Sequence, residues 1–147
     1  MTPEFQPTLN IPLSDHRRLA DVAARAATDL HPVAGFLLGE LKRANVVPAN
    51  KMPDNIVTLD GWVTYRLDWG WAPESRRLVC PEDYRSADIH LSVLSPLGAA
   101  LIGMGVGSRI SYSSIEGVPH VASVECLDAA IGVHDSTITR EACTREL

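Results

Sequence analysis

The spacing of apolar residues changes once along this chain, and the change restricts it to folds in which helices and sheet are segregated. Up to about Asn45, apolar side chains recur every three or four positions; beyond Ile56 they alternate or cluster in short runs. Leu19, Val22, Ala23, Ala26, Ala27 and Leu30 form one helical stripe, with Arg17, Arg18, Asp21 and Arg25 mostly opposite. Ser14 stands at the N-cap position, and Asp15 follows in the first turn, where a carboxylate favours the positive end of the dipole. Pro32 cannot continue a helix interior but suits a first turn, so the helix is expected to end near Leu30 and a second to run on to about Asn45. Its stripe is Val33, Phe36, Leu37, Leu41 and Ala44, with Lys42 and Arg43 near the negative end. Helices joined this closely predict an antiparallel hairpin. Its arms, of about 14 to 16 residues, reach about 20 to 25 Å at ~1.5 Å per residue.

The flanks divide the rest. Pro3, Pro7 and Pro12 punctuate residues 1–13, which read as a flexible arm before the hairpin at 14–46. Residues 47–55, with Pro48, Asn50, Pro53, Asp54 and Asn55, read as a linker. A β domain is expected over 56–128 and a small polar tail over 129–147. Within the β domain, Ile56 to Leu59 reads as a strand, Asp60-Gly61 as a hairpin turn, and Trp62 to Leu67 as the returning strand. Arg76 to Cys80, His90 to Leu94, Arg109 to Ser113 and His120 to Leu127 are further strands, and Leu97 to Gly103 is a lone short helix. The fold class is α+β: a short helical hairpin followed by a bent antiparallel sheet holding one helix.

Charge and motifs narrow the function. The chain has 147 residues and a formal net charge of −5. Residues 1–50 are neutral, and the excess acid lies in 51–135, which disfavours direct nucleic-acid binding because displacing counterions from phosphates needs a basic face. Cys80, Cys126 and Cys143 are odd in number and widely spaced, so free thiols are expected and neither a disulfide framework nor a zinc site. The five histidines show no metal-binding spacing, and no G-x-S-x-G elbow accompanies the serines, so no catalytic residue, metal or cofactor is assigned. Gly103, Gly105 and Gly107 follow a helix and precede a strand, the reverse of a phosphate loop, and read as a turn. The start of the chain lacks a basic, apolar leader, and the run Val33 to Leu38 is too short to span a bilayer, so a cytoplasmic protein without membrane contact is expected. A partner-binding protein is the default, with the Trp69-Gly70-Trp71 loop as one candidate contact.

Leu91 to Gly107, L-S-V-L-S-P-L-G-A-A-L-I-G-M-G-V-G, resembles the signature of the C-terminal domain of the GreA/GreB transcript-cleavage factors, with Ser95, Pro96, Leu97, Gly98, Ala100, Leu101, Gly103, Val106 and Gly107 in register. The short hairpin and the stretch N-K-M-P-D-N-I-V-T-L, Asn50 to Leu59, resemble in particular the regulator of nucleoside diphosphate kinase subgroup. The resemblance spans roughly residues 15 to 128 and implies an FKBP-like C-terminal domain and binding to bacterial RNA polymerase at the rim of its secondary channel. It further implies contacts from Leu94, Ser95, Pro96, Leu97 and Gly98; on the residues alone, Pro96 and Gly98 serve equally well to shape the strand-to-helix turn. In the cleavage factors a long coiled coil carries an acidic tip to the catalytic magnesium. Here the tip, Thr28-Asp29-Leu30-His31-Pro32, holds one carboxylate, Asp29, beside His31, and Leu94 stands where those factors usually have an acid. The expectation is therefore a polymerase-binding regulator that competes with longer factors without stimulating cleavage. A prolyl isomerase site, implied by the FKBP-like fold and lined by Trp62, Tyr65, Tyr84 and Tyr112, and a module for some other protein partner are the alternatives.

Overall fold

The computed structural model describes residues 7–68, 70 and 72–127. Trp69, Trp71 and the expected tail at 129–147 lie outside the described residues. The order of elements is β1 (Asn10–Pro12), α1 (Leu13–Thr28), α2 (Ala34–Arg43), β2 (Asn45–Val47), β3 (Trp62–Leu67), β4 (Glu74–Val79), β5 (His90–Ser92), α3 (Pro96–Leu101), β6 (Arg109–Ser113) and β7 (Pro119–Leu127). The α+β class and the lone helix within the β region stand as read from the sequence. The main sheet runs β5-β4-β3-β7-β6 and curls, with a register shift between Thr64 and Tyr65 where β3 meets β7.

Several local expectations change. Ser14 does not cap α1: the helix starts at Leu13, with Pro12 at the N-cap and no side-chain cap bond. The extended Pro12 (ψ 146°) leads directly from β1 into the first turn and leaves Ser14 inside it. α2 has only 10 residues, about 15 Å at ~1.5 Å per residue, against about 24 Å for α1. It is short because residues 31–33 form the turn and Ala44 has already become extended (ψ 144°) to enter β2. Its buried face is Ala34, Leu37, Glu40 and Leu41, and Phe36, expected inside, stands exposed.

The segment read as a flexible arm is instead tied down from Leu9. β1 pairs parallel with β2, and Leu9 and Ile11 are completely buried. Asn10 N–H donates to the Gly103 carbonyl at 2.9 Å, and Asn45 N–H to that of Leu9 at 2.8 Å. Gly103 has φ +80°, and a Cβ there would run into the Leu9 side chain, so this glycine is what admits the N-terminal strand. Arg43 secures the same end, donating to the Pro7 carbonyl and, through Nε and Nη2, to the two carboxylate oxygens of buried Glu40.

Asp60-Gly61 does not make a hairpin. Residues 56–59 contribute only a bridge from Ile56 to Gly105, and Asp60 and Gly61 extend the β3–β4 ladder by exchanging bonds with Leu78. β3 reaches β4 and β7 as its neighbours instead. The sheet is also not wholly antiparallel. Pro81 ends β4, the chain returns through residues 84–89, and β5 lies parallel to β4 in the register Arg77↔His90. Among the described thiols, Cys80 is free and buried, whereas Cys126 is disulfide-bonded, against the expectation of free thiols.

One apolar core joins all of this. Leu9, Ile11, Leu19, Val22, Val33 and Leu37 from the N-terminal half cluster with Val57, Val63, Leu78, Leu101, Met104 and Ile110 from the sheet half. Polar contacts reinforce the junction. Asp15, buried, accepts from Leu59 N–H at 3.1 Å, and Arg18 donates to Asp60 at 2.9 Å.

Burial is the main influence on the Asp15 carboxyl and pushes it above its unfolded value near 3.8, with the Leu59 bond and Arg18 pulling the other way. A carboxyl raised by folding holds more protons in the native state, so its contribution is fully present below the unfolded value and is lost as pH rises through the folded one. Asp15→Asn keeps an oxygen for Leu59 and has nothing to titrate. Its melting temperature should therefore fall less than the parent's between pH 3 and pH 7 in thermal denaturation. Asp15→Leu strands the Leu59 amide and should lose about 1 to 3 kcal/mol across that range.

Candidate functional site

The entrance to α3 is built by a serine and a glycine. Ser95 is extended (φ −104°, ψ 157°) and caps the helix, its Oγ accepting from Gly98 N–H at 3.0 Å while donating to the Ser92 carbonyl at 2.7 Å. Pro96 occupies the first helical position, where its missing N–H does no harm. A Cβ on Gly98 would overlap the Ser92 carbonyl oxygen, so no other residue fits without moving the turn. Leu94 N–H bonds to Ser92 Oγ at 3.1 Å. Gly98 is thus buried in its own turn, and the Ser95 hydroxyl is spent on it, while Leu94, Ser95, Pro96 and Leu97 are all partly exposed.

The tip of the hairpin is a helix stop of the Schellman type. Asp29 ends α1, Leu30 N–H bonds to Ala27 O at 3.0 Å, and His31 N–H to Ala26 O at 2.8 Å. The pattern requires a left-handed residue, a position that usually falls to glycine; Leu30 fills it at φ +57° and is 88% exposed. His31 then starts the next turn, its Nδ1 accepting from Val33 N–H at 3.1 Å. The helical spacing of Leu30 suggested a buried position, and only the φ angle marks it as the exposed apex.

Two places predicted from distant parts of the sequence come together here. A groove of about 200 Å³ has Asp29 and His31 on one side and Leu94 on another, with Arg25 and Glu82 at its margin and Val22 among its apolar lining. A larger cleft of about 340 Å³ lies between Pro32 and Phe36 of the hairpin, Pro96, and Tyr112 and Ile115 at the end of β6. Of the four aromatic residues weighed for an isomerase pocket, Tyr112 alone lines this cleft. Tyr65 is buried with its hydroxyl toward Glu74 at 3.3 Å, and Tyr84 stands exposed beside His90. Among the described residues, no three His, Cys, Asp or Glu side chains are grouped to hold a metal ion, and no helix is long and apolar enough to cross a membrane.

The fold as a whole is shared with a solved transcription elongation factor. Residues 52–125 match the C-terminal domain of transcription elongation factor GreA/GreB, and the chain belongs to that family. It is similar to the regulator of nucleoside diphosphate kinase of Escherichia coli K12, 33% identical over 113 residues that cover 77% of this chain and 83% of the relative, and equally to that of Shigella flexneri. Among solved structures it is similar to the prokaryotic transcription elongation factor GreA/GreB from Nitrosomonas europaea, with a TM-score of 0.66 and 26% identity over 82% of this chain and 98% of that one.

The local geometry gives a stability test. Gly98→Ala forces the α3 entrance against Ser92 and should lose about 1 to 3 kcal/mol in urea unfolding. Leu30→Gly relieves the left-handed strain and should raise stability, by up to about 1 kcal/mol.

Proposed function

We propose that this protein binds bacterial RNA polymerase at the rim of the secondary channel, through the partly exposed Leu94, Pro96 and Leu97 on the Ser95–Gly98 turn together with the hairpin tip. On this reading it occupies the polymerase without stimulating transcript cleavage, and so competes with longer Gre-type factors in the cytoplasm.

The observation that carries the reading is the hairpin. Its arms are about 24 and 15 Å at ~1.5 Å per residue, and its inner faces are sunk in the core shared with the sheet. A tip held that close to Leu94 makes one surface with the α3 entrance, instead of a probe extended away from it. The tip carries one carboxylate, Asp29, next to Leu30 and His31. Recruiting a second Mg²⁺ and a water for hydrolysis calls for several hard oxygen ligands in near-octahedral geometry, which one carboxylate does not supply. Family membership supports a partner in the transcription machinery. The net acid of residues 51–135 suits a basic protein surface and not a phosphate backbone.

Copurification with core RNA polymerase checks the docking. The parent should be retained at micromolar concentration, and Pro96→Asp, which places a charge on the partly apolar rim, should weaken retention about tenfold or more. Leu30→Gly should weaken it as well while the fold gains stability; no retention of the parent would sink the proposal. In stalled elongation complexes the added protein should leave the rate of transcript shortening unchanged and should slow shortening driven by a cleavage factor. Faster shortening that Asp29→Ala abolishes would show that the single carboxylate suffices.

A further inference from the structure

Among the described residues, β6 is an outermost strand of the main sheet and pairs with β7 alone. The pairing is regular, running without a shift from Arg109↔Ser123 to Ser113↔Pro119. Two bonds fix its parity: Ser114 N–H donates to Val118 O, and Val124 N–H to Ser108 O, both at 2.9 Å. Bonded positions alternate along an antiparallel pair, so the even-numbered residues of β6 bond to β7 and Ser111 and Ser113 turn their N–H and C=O groups to the open edge. Natural sheets blunt such an edge with charge, proline, a bulge or a very short strand. β5, on the opposite edge, is three residues long; β6 has five and begins with the charged Arg109, and Ser111 to Ser113 beyond it hold no charge, proline or bulge.

The larger cleft lies beside this edge and includes Ser111 and Ser113 in its lining. Pro32, Phe36 and Pro96 form its apolar wall, with Tyr112 and Ile115 at its end. Among the described residues its lining contains no Asp, Glu, Lys, Arg or His, and burial pushes the Tyr112 hydroxyl up to about 12, so it carries no charge near neutral pH. In a chain with 21% charged residues this is a neutral strip, and it opens to solvent: Phe36 is 37% and Ile115 61% exposed.

We propose that β6 is a strand acceptor: an extended, uncharged segment of a partner protein pairs with Ser111 and Ser113 and sets alternate apolar side chains against Phe36, Pro32 and Pro96. The unpaired backbone groups demand an extended chain, because only that conformation presents donors and acceptors at the strand repeat. The uncharged lining selects against Lys, Arg, Asp and Glu, which would lose hydration in the cleft without a counter-charge. At about 340 Å³ the cleft has room for a few residues of one strand. The inference goes beyond polymerase docking and does not require it.

The test is titration of the full chain with fluorescent, capped five-residue peptides alternating threonine with valine, leucine or phenylalanine, read by anisotropy and by amide NMR shifts. At least one peptide should bind below about 1 mM, with the largest shifts at the Ser111 and Ser113 amides. A version N-methylated at alternate positions should not bind. Ser113→Pro, tolerated on an open edge because the lost N–H faces outward, should weaken binding about three- to tenfold, the size of one net hydrogen bond. Phe36→Ala should weaken it comparably and serves if the proline variant does not fold. Polymerase copurification by both variants should match the parent, so that failure of one proposal is separable from failure of the other. The inference is overturned if no peptide binds, if the N-methylated peptide binds equally, or if sedimentation shows a dimer that the peptides disperse. It is equally overturned if binding appears only after residues 128–147 are removed, which would give the edge to the chain's own tail.

Discussion

The hairpin shares its hydrophobic core with the sheet, and the arrangement of the surface follows from that burial. Leu19, Val22, Val33 and Leu37 are withdrawn from water in one cluster with Leu101, Met104 and Ile110. Two helices of 16 and 10 residues would be marginal alone, since the energy of such short helices comes mainly from packing an amphipathic face. The same contact fixes where the tip lies, and hence that Asp29 faces Leu94 across one groove while Pro32 and Phe36 face Pro96 across the other. The polar links at the junction, Asp15 to Leu59 and Arg18 to Asp60, define the seat of α1 more than they strengthen it. An exposed ion pair such as Arg18–Asp60 is worth at most about 1 kcal/mol.

The N-terminal segment completes this core. Leu9 and Ile11 close it at the base of the hairpin, and the short parallel pair β1–β2 satisfies their backbone. Gly103 makes the closure possible from the far side, by leaving room for Leu9. The segment Leu91–Gly107, which carries the family resemblance, therefore does two kinds of structural work. Ser95 and Gly98 shape the way into α3, and Gly103 receives the N-terminal strand on the way out. Leu94, Pro96 and Leu97 are partly exposed at the helix entrance and have no side-chain part in these tasks.

Much of the fold was legible because it rests on local periodicity and turn chemistry. Strands β3 and β6 fall where alternation placed them, and α3 lies within a residue or two of its expected span, since proline and serine mark its start. The misreadings share a physical cause: the competing interaction came from far along the chain. Ser14 looked like a cap, but the backbone ahead of it was already committed to β1. Asp60-Gly61 looked like a hairpin turn, but Leu78 supplied better partners for its backbone. Leu9 and Ile11 sat among prolines without a period, and burial of so short a segment leaves no pattern to detect. Of the candidate site, the residue types at 29, 31 and 94–98 were readable, and their adjacency was not.

By itself the sequence determined the class of fold, the shortness of the hairpin, the single carboxylate at its tip and the turn that opens α3, because each depends on residues within a few positions of one another. Only the tertiary structure decided that the hairpin lies against the sheet, that Leu30 is its exposed left-handed apex, and that, among the described residues, no strand lies beyond the Ser111–Ser113 stretch of β6. Those features arise from which surfaces exclude water together, and that is a property of residues brought close by the whole chain.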